Sequence, residues 1–369
     1  MTTTPSAPAK KKATFNTLTV SEVRALTEDS VEVSFAIPPE LQDDYDYIPG
    51  QYVALRATID GQEVRRSYSI CDVPRDGVLR VAIKRDRGGV FSTWANDTLQ
   101  PGDTMDVMNP QGAFTSKTHL TGLNNPEAVR EELEKLENPH LVAIAAGSGI
   151  TPIMAIAQTV LHSSPDTTFE LIFANKGGGD VMFAEEIGDL KDKFPTRFAV
   201  HHVLSREQRV NPLFSGRIDA EKLQTLLDNV VRTDNVDEWF LCGPFELVQL
   251  VRDELASRNV GEKDVRYELF TTGKPSGDQN QAGRHVEVDP EGDNVTINFQ
   301  LDGLSGSVES PVSANESLLN AALRVRSDVP FACAGGVCGT CRAKLVEGEV
   351  DMAENYALEA DEVKAGYIL

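Results

Sequence analysis

From residue 13 to about 119 the apolar positions fall in short runs that alternate with polar ones or are rich in β-branched residues. FNTLTVSEVRAL, SVEVSFAI, QYVALRAT, RRSYSI and LRVAIKR are the clearest. Successive side chains of a strand point to opposite faces, so runs of this kind read as strands with one face turned to a core. Pro49-Gly50, Asp60-Gly61, Asp76-Gly77 and Pro101-Gly102 lie between them as turns. Many short strands so spaced predict an antiparallel β-barrel. Residues 120–139 change character, and PEAVREELEKLE reads as a charged helix in a connecting insertion.

Residues 140–270 follow another rhythm. HLVAIAA, FELIFAN, RFAVHHVLS and EWFLCGP are apolar strand runs, and helical spacings intervene: Ile153, Ile156, Ala157, Val160 and Leu161, then Leu223, Leu226, Leu227 and Val230. Strand and helix in alternation predict βαβ units and a parallel sheet. Residues 271–285 carry almost no apolar side chains and read as a linker. Residues 286–369 resume with NVTINFQL, a helical SLLNAALRV and a cysteine cluster. There is no internal repeat. MTTTPSAPAKKK, covering residues 1–12, lacks an apolar stretch and reads as a polar tail, neither a signal peptide nor an anchor.

A chain of 369 residues, 40% hydrophobic and 25% charged, suits a soluble protein of several domains. No run approaches the ~18 apolar residues of a membrane-spanning helix. The net charge is −22, which argues against binding nucleic acid, since that requires neutralising phosphates with Lys and Arg. Five basic against fifteen acidic residues give the segment 286–369 a net charge of −10, nearly half of the excess. Such acidity serves solubility or a basic protein partner. Of five cysteines, Cys71 and Cys242 stand alone while Cys333, Cys338 and Cys341 cluster. An odd, clustered set predicts a reducing, cytoplasmic setting and a metal site rather than a disulfide framework.

CAGGVCGTC places Cys333, Cys338 and Cys341 at the x4, x2 spacing of plant-type [2Fe–2S] loops, which use four cysteines. Glycines there let backbone amides turn toward an anionic cluster. A zinc knuckle is the alternative, but zinc sites repeat C-x2-C, and no second pair or nearby His is present. In AAGSGITPIMAI, Gly147-Ser148-Gly149 follows an apolar strand. Thr151 is a fitting N-cap, with Pro152 at the first helical position. A helix opening there is an anion site suited to a dinucleotide, or an ordinary tight turn.

Leu241-Cys242-Gly243-Pro244 ends another parallel strand where ligands of such sheets gather. Cys242 is equally readable as a small buried hydrophobe. Ser205-Arg206-Glu207 offers a hydroxyl and a guanidinium for the 2′-phosphate of NADP, or is simply a solvated surface. Arg66-Ser67-Tyr68-Ser69 puts Arg66 and Tyr68 on one side of a strand, a cation and a ring suited to a flavin nucleotide or else an exposed strand with a packed Tyr. The GGVFS turn, Gly88 to Ser92, offers amides for the same diphosphate.

Taken in this order, RSYS and GGVFS, then GSGITP and CGP, then C-x4-C-x2-C, the chain resembles the ferredoxin–NADP reductase superfamily with a fused C-terminal plant-type ferredoxin. The resemblance covers about residues 13–369. EVRRSYSIC, FSTWANDTL, HVLSRE, SGRID and YELF are similar to the reductase subunits of phenylacetyl-CoA epoxidases. Reductases of ring-hydroxylating and ketosteroid monooxygenases share the domain order.

The resemblance implies an FAD-binding barrel, an NAD(P)-binding α/β domain and a β-grasp ferredoxin domain of α+β class. It implies that Arg66, Ser67, Tyr68 and Ser69 hold FAD, with Ser69 near the reactive flavin nitrogen, and that Lys84, Gly88, Gly89 and Ser92 contact its ribityl or diphosphate. Gly147 and Thr151 would cradle the dinucleotide, and Ser205 and Arg206 would take the 2′-phosphate of NADPH, with NADH as the alternative. Cys242 and Gly243 would border the nicotinamide, Phe270 would cover the flavin, and Cys333, Cys338 and Cys341 would ligate iron. The family's fourth cysteine follows a glycine–aromatic–aliphatic–leucine lead-in like Gly366-Tyr367-Ile368-Leu369, so the ferredoxin domain is expected to be truncated just before that ligand. The implied activity is electron transfer from NADPH through FAD and [2Fe–2S] to an oxygenase or epoxidase component, with no nucleic acid or membrane involved. A hybrid-cluster protein as acceptor, or a non-enzymatic carrier or scaffold, is the rival.

Overall fold

A computed structural model of the chain describes residues 14–369 apart from 87, 113, 118–125, 137, 232, 271–291, 302–303, 315, 327–328, 330–340, 353–354, 356–357 and 359. The tail at 1–12 and the linker at 271–285 therefore lie outside the described residues. The chain divides into two units, Met1–Phe270 and Thr271–Leu369.

The first unit opens with six antiparallel strands: β1 (Phe15–Thr27), β2 (Ser30–Ala36), β3 (Tyr52–Ile59), β4 (Gln62–Ser69), β5 (Val78–Lys84) and β6 (Thr104–Met108). They form one sheet in the order β4-β3-β6-β1-β2-β5. The sheet curls until Ile70, just past β4, bridges Val81 on β5, so its two edges meet. Phe35, Val53, Leu55, Leu79, Val81, Ile83 and Val107 are fully buried inside the curl. A short α1 (Gln42–Tyr45) and α2 (Val90–Thr98) complete this part, and α2 sends Phe91 and Ala95 into the same core.

The second part of the unit contains β7 (His140–Ala146), β8 (Thr168–Asn175), β9 (Phe198–Leu204), β10 (Glu238–Gly243) and β11 (Val265–Leu269). These are parallel, in the order β11-β10-β7-β8-β9. All of β10 and the middle of β7 are buried, which explains their unbroken apolar runs, because a parallel sheet is covered on both faces. Leu141, Ala143 and Ala145 face one core, while Val142 and Ile144 face the other. The first core takes α4 (Ile150–Ser163) and α5 (Ala184–Lys193); the second takes α6 (Ala220–Asn229) and α7 (Phe245–Ser257).

The 120–139 stretch is more than a surface insertion. Its helix α3 (Pro126–Glu134) buries Val129 and Leu133 completely in the core it shares with α4. That core also takes Cys71, Ala82 and Phe114, so the curled sheet and the parallel sheet pack as one body. A second tie lies at Glu238, whose side chain is fully buried. It accepts Ser116 Oγ at 2.5 Å, the Lys117 amide at 2.8 Å and Arg266 Nε at 3.0 Å.

In the second unit, β12 (Asn294–Leu301) and β13 (Leu304–Pro311) form an antiparallel hairpin. Helix α8 (Leu318–Val325), capped by Ser317, buries Ala321, Ala322 and Leu323, and packs on β13. The described residues end with β14 (Ala343–Lys344), α9 (Ala360–Lys364) and β15 (Tyr367–Ile368), with β14 and β15 paired.

Candidate functional site

Numbered from β7, the parallel sheet runs third-second-first-fourth-fifth from one edge to the other when read from β9, so the order in which its strands are laid down reverses between β7 and β10. Ligands of open α/β sheets lie outside the carboxyl ends of the strands at such a reversal. Gly147, with φ +54°, turns the chain off β7 there. Gly149 is pressed against the end of β10: a Cβ on it would stand 2.2 Å from the Cys242 carbonyl oxygen. A Cβ on Gly243 would meet that of Ala146 at 3.1 Å. The two strand ends are thus joined through backbone contacts that only glycines permit.

The local geometry of this turn differs from the expected cap. Helix α4 starts at Ile150, capped by Gly149 after a single 3₁₀ turn, so Thr151 and Pro152 stand inside its first turn. The Thr151 hydroxyl is buried and donates to the Ser148 carbonyl at 3.0 Å. The 3₁₀ turn at 147–149 brings the helix start forward, so that Gly149 takes the cap and the residues to which capping chemistry alone assigns the cap and first position lie within the helix.

Cys242 is wholly buried, in register with Ala145 on β7 and Glu268 on β11. Burial, and then the nearby Glu268 charge, push its thiol well above the usual range, so it is a neutral S–H. Glu268 also receives the hydroxyl of Ser69 at 2.9 Å, from the far end of β4. Phe270, half-buried against the same core, donates its amide to the Gly243 carbonyl at 2.9 Å. Ser69 and Cys242 therefore stand at Glu268, and the Gly243–Phe270 bond lies at the carboxyl ends of the same two strands. Glu268 itself is not singled out by sequence; its place between Tyr267 and Phe270 in YELF is the available signal.

On the curled sheet, Arg66 is exposed, with Nη1 donating to the Arg65 carbonyl at 2.8 Å. Tyr68 packs its ring 5.7 Å from Phe91 of α2, and burial raises its hydroxyl pKa. The Arg66 charge acts on Asp86, and both charges act on the Tyr68 hydroxyl, which agrees with Arg66 and Tyr68 sharing a side of β4. Helix α2 starts directly after Gly88, at φ +79°, with Gly89 as its cap, so RSYS and GGVFS come together. Two members of this set are engaged internally. The Ser92 hydroxyl accepts the Asp86 amide at 3.0 Å, and Lys84 Nζ pairs with Asp29 at 2.5 Å. Ser67 stands on the same strand, in register with Ala54.

Ser205 and Arg206 follow β9 and bond back to the end of β8: the Ser205 amide donates to the Asn175 carbonyl at 2.9 Å and the Arg206 amide to that of Lys176 at 2.8 Å. Arg206 is exposed. In the second unit, Cys341 is half-buried just before β14, while Cys333 and Cys338 lie outside the described residues. The donor set of the loop, three thiolates at iron–sulfur spacing among glycines, fits three of the four ligand places of a [2Fe–2S] centre. The exposed cation beside a ring and a glycine-capped helix likewise fit a flavin dinucleotide. Among the described residues no helix is long and apolar enough to cross a membrane.

Comparison with known proteins agrees with this geometry. Residues 17–116 match the oxidoreductase FAD-binding domain, 143–253 the oxidoreductase NAD-binding domain, and 301–369 the 2Fe-2S iron-sulfur cluster binding domain. The chain is 39% identical over 356 residues to the E subunit of the 1,2-phenylacetyl-CoA epoxidase of Escherichia coli, covering 96% of this chain and 94% of that one. It is 32% identical to the 3-ketosteroid-9-alpha-monooxygenase ferredoxin reductase component of Rhodococcus rhodochrous, covering 95% and 92%. The fold matches that of the Amycolatopsis cytochrome P450 reductase with a TM-score of 0.57, at 24% identity and 72% of each chain. The chain belongs to the family of oxidoreductases that join an FAD-binding, an NAD-binding and a C-terminal 2Fe-2S domain in one polypeptide, the electron-transfer reductase components of oxygenases.

Proposed function

We propose that this chain draws electrons from NADPH and delivers them to the oxygenase component of a phenylacetyl-CoA epoxidase. The observation that carries the reductase chemistry is the meeting of Ser69 from the curled sheet with Glu268 beside Cys242 of the parallel sheet, next to the Gly243–Phe270 bond at the ends of the same strands. The choice of acceptor is supported by 39% identity along nearly the whole chain.

In this reading the exposed Arg66 neutralises the FAD diphosphate, Ser67 and Tyr68 line the flavin, and the amides after Gly88 and Gly89 complete the diphosphate cradle. Lys84 and Ser92 shape that cradle through Asp29 and Asp86, and either would touch FAD by exchanging those partners. Gly147 and Thr151 open the nicotinamide-dinucleotide site. Ser205 and Arg206 take the 2′-phosphate, which sets the preference for NADPH over NADH. Cys242, held neutral, borders the nicotinamide without adding charge, and Phe270 covers the flavin. Cys333, Cys338 and Cys341 supply three of the cluster thiolates. When bound, the cofactors turn a two-electron hydride donor into a source of single electrons; the protein supplies orientation and potential.

The test is reconstitution. The chain is combined with a phenylacetyl-CoA epoxidase oxygenase component or with a ketosteroid monooxygenase oxygenase component, and substrate-dependent NADPH consumption is followed. Coupled consumption with the first is the expected result. Coupling only with the second would move the acceptor to the ketosteroid branch, which the 32% identity also supports.

A further inference from the structure

Asn175 ends β8 with only 8% of its surface exposed, and neither Nδ2 nor Oδ1 has a hydrogen-bond partner among the described residues. On the neighbouring strand His202 Nδ1 is likewise buried and unpartnered, its ring 5.9 Å from that of Phe173, two residues before Asn175 and on the same side of β8. Buried amides are ordinarily hydrogen-bonded, because desolvation without compensation is costly. A primary amide left in this state at the carboxyl edge of a parallel sheet stands where such sheets receive ligands.

The strand order says which part of a ligand passes here. β8 lies between β7 and β9. Ala174 is in register with Ala146, the residue before the Gly147 turn, and Asn175 is in register with Leu204, the residue before Ser205. A dinucleotide with its diphosphate on the 147–151 turn and its 2′-phosphate at Ser205 and Arg206 must cross the end of β8. The portion that spans those anchors is the adenosine ribose with its 5′-phosphate. A ribose hydroxyl both donates and accepts, as the Asn175 side chain does. The carbonyls of Asn175 and Lys176 already hold the amides of Ser205 and Arg206, so the end of β8 and the start of the phosphate loop are positioned together.

We infer that Asn175 is a nucleotide-binding residue whose side-chain amide hydrogen-bonds the adenosine-side ribose–phosphate of the nicotinamide dinucleotide. The inference rests on the placement of the 2′-phosphate at Ser205 and Arg206 given above. It differs from that placement in one measurable respect: the ribose is common to NADP and NAD, whereas the 2′-phosphate is not.

Calorimetric titration of the flavin-loaded full chain with NADP+, NAD+ and 2′,5′-ADP separates the two. Asn175→Ala weakens all three about tenfold, the loss of one well-placed hydrogen bond together with a stranded partner. Asn175→Asp, which keeps shape but replaces the donor by negative charge, weakens them at least as much. Arg206→Ala weakens NADP+ and 2′,5′-ADP and leaves NAD+ unchanged. If both Asn175 variants bind within about twofold of the parent while Arg206→Ala remains selective, the inference is overturned and the 2′-phosphate site stands. A lower melting temperature with unchanged affinities also overturns it, making Asn175 a purely structural residue at the end of β8. If Arg206→Ala does not distinguish NADP+ from NAD+, the placement of the phosphate is wrong and the role of Asn175 falls with it.

Discussion

The hydroxyl of Ser69 donates to Glu268 Oε2 at 2.9 Å, joining residues 199 positions apart in the chain. Ser69 closes β4 of the curled sheet, and Glu268 lies on β11 in register with Cys242 of the parallel sheet. One carboxylate is therefore shared by the residue assigned to the flavin and the residue assigned to the nicotinamide. Because Ser69 is buried, the bond is shielded from competition with bulk water and fixes where the two halves meet.

Breaking this bond should slow hydride delivery without emptying the flavin site. Ser69→Ala leaves a carboxylate with one donor fewer, a loss on the order of 1–2 kcal/mol, or about 5- to 30-fold in the rate of flavin reduction. Glu268→Gln removes the charge and should slow it comparably. Anaerobic stopped-flow mixing with NADPH measures the rate from the loss of flavin absorbance, and FAD content is measured on the same samples. Unchanged rates in both variants would show that the bond holds the fold only.

The curled and parallel sheets are legible in sequence because their strands have distinct burial. β7 and β10, covered on both faces, are continuous apolar runs, β5 is dense in Val, Leu and Ile, and β2 alternates Val31, Val33 and Phe35 with polar residues. β6 (TMDVM) and β11 (VRYEL) carry charged residues inside short strands and give no comparable signal. The residue types at 66–69, 147–151, 205–206 and 242–243 are readable because turns, cations and glycines have local chemistry. Glu268 and Asn175 are not. Their significance comes from register with Cys242 and with Leu204, which is set by strands that pair across long separations. The cap of α4 departs from its expected place for a related reason: the 3₁₀ turn at 147–149 is fixed by the contact of Gly149 with Cys242, not by local propensity.

That contact makes Gly149→Ala a sharp probe. The added Cβ would fall 2.2 Å from the Cys242 carbonyl oxygen and 2.5 Å from its carbon, both backbone atoms that cannot rotate away. The β7–α4 turn must shift, at a cost of about 1–3 kcal/mol as for other overpacked sites. Thermal unfolding should show the loss, and nucleotide affinity should fall more than FAD content, since the turn faces the dinucleotide. A variant with parental stability and parental affinity would mean that β10 yields freely.

Glu238 lies at the opposite, amino-terminal end of β10 and binds the two halves there. Burial raises its pKa, partly countered by Ser116, the Lys117 amide and Arg266. Glu238→Ala strands those donors and should cost roughly 3 kcal/mol. Glu238→Gln retains an acceptor and should cost less. Urea unfolding with flavin fluorescence and circular dichroism followed in parallel tests this: both variants are expected to unfold earlier, Glu238→Ala before Glu238→Gln. Equal stability of Glu238→Ala and the parent would remove this residue from the interface.

The last expectation concerns pH. His140 Nε2 lies 3.1 Å from Glu170 Oε1, and its Nδ1 lies 3.2 Å from the Asn235 carbonyl, so the ring is placed to donate from both nitrogens as an imidazolium. Its pKa is raised, chiefly by the hydrogen bond to Glu170, against the opposing effect of burial. A proton held more tightly in the folded state stabilises it below the unfolded value near 6.5, and that stability is lost as pH rises through the folded value. His201, 3.9 Å from the other Glu170 oxygen, has its pKa lowered by burial and contributes with the opposite sign. Removing the shared carboxylate therefore has to be read against a His201→Gln background. In that background, Glu170→Gln should lower stability by up to about 1 kcal/mol near pH 6, a modest value because the pair is partly solvated, and by much less near pH 8.5. Chemical denaturation at the two pH values measures the difference. A penalty that is the same at both, or larger at high pH, would show that His140 is not held as its protonated form by Glu170.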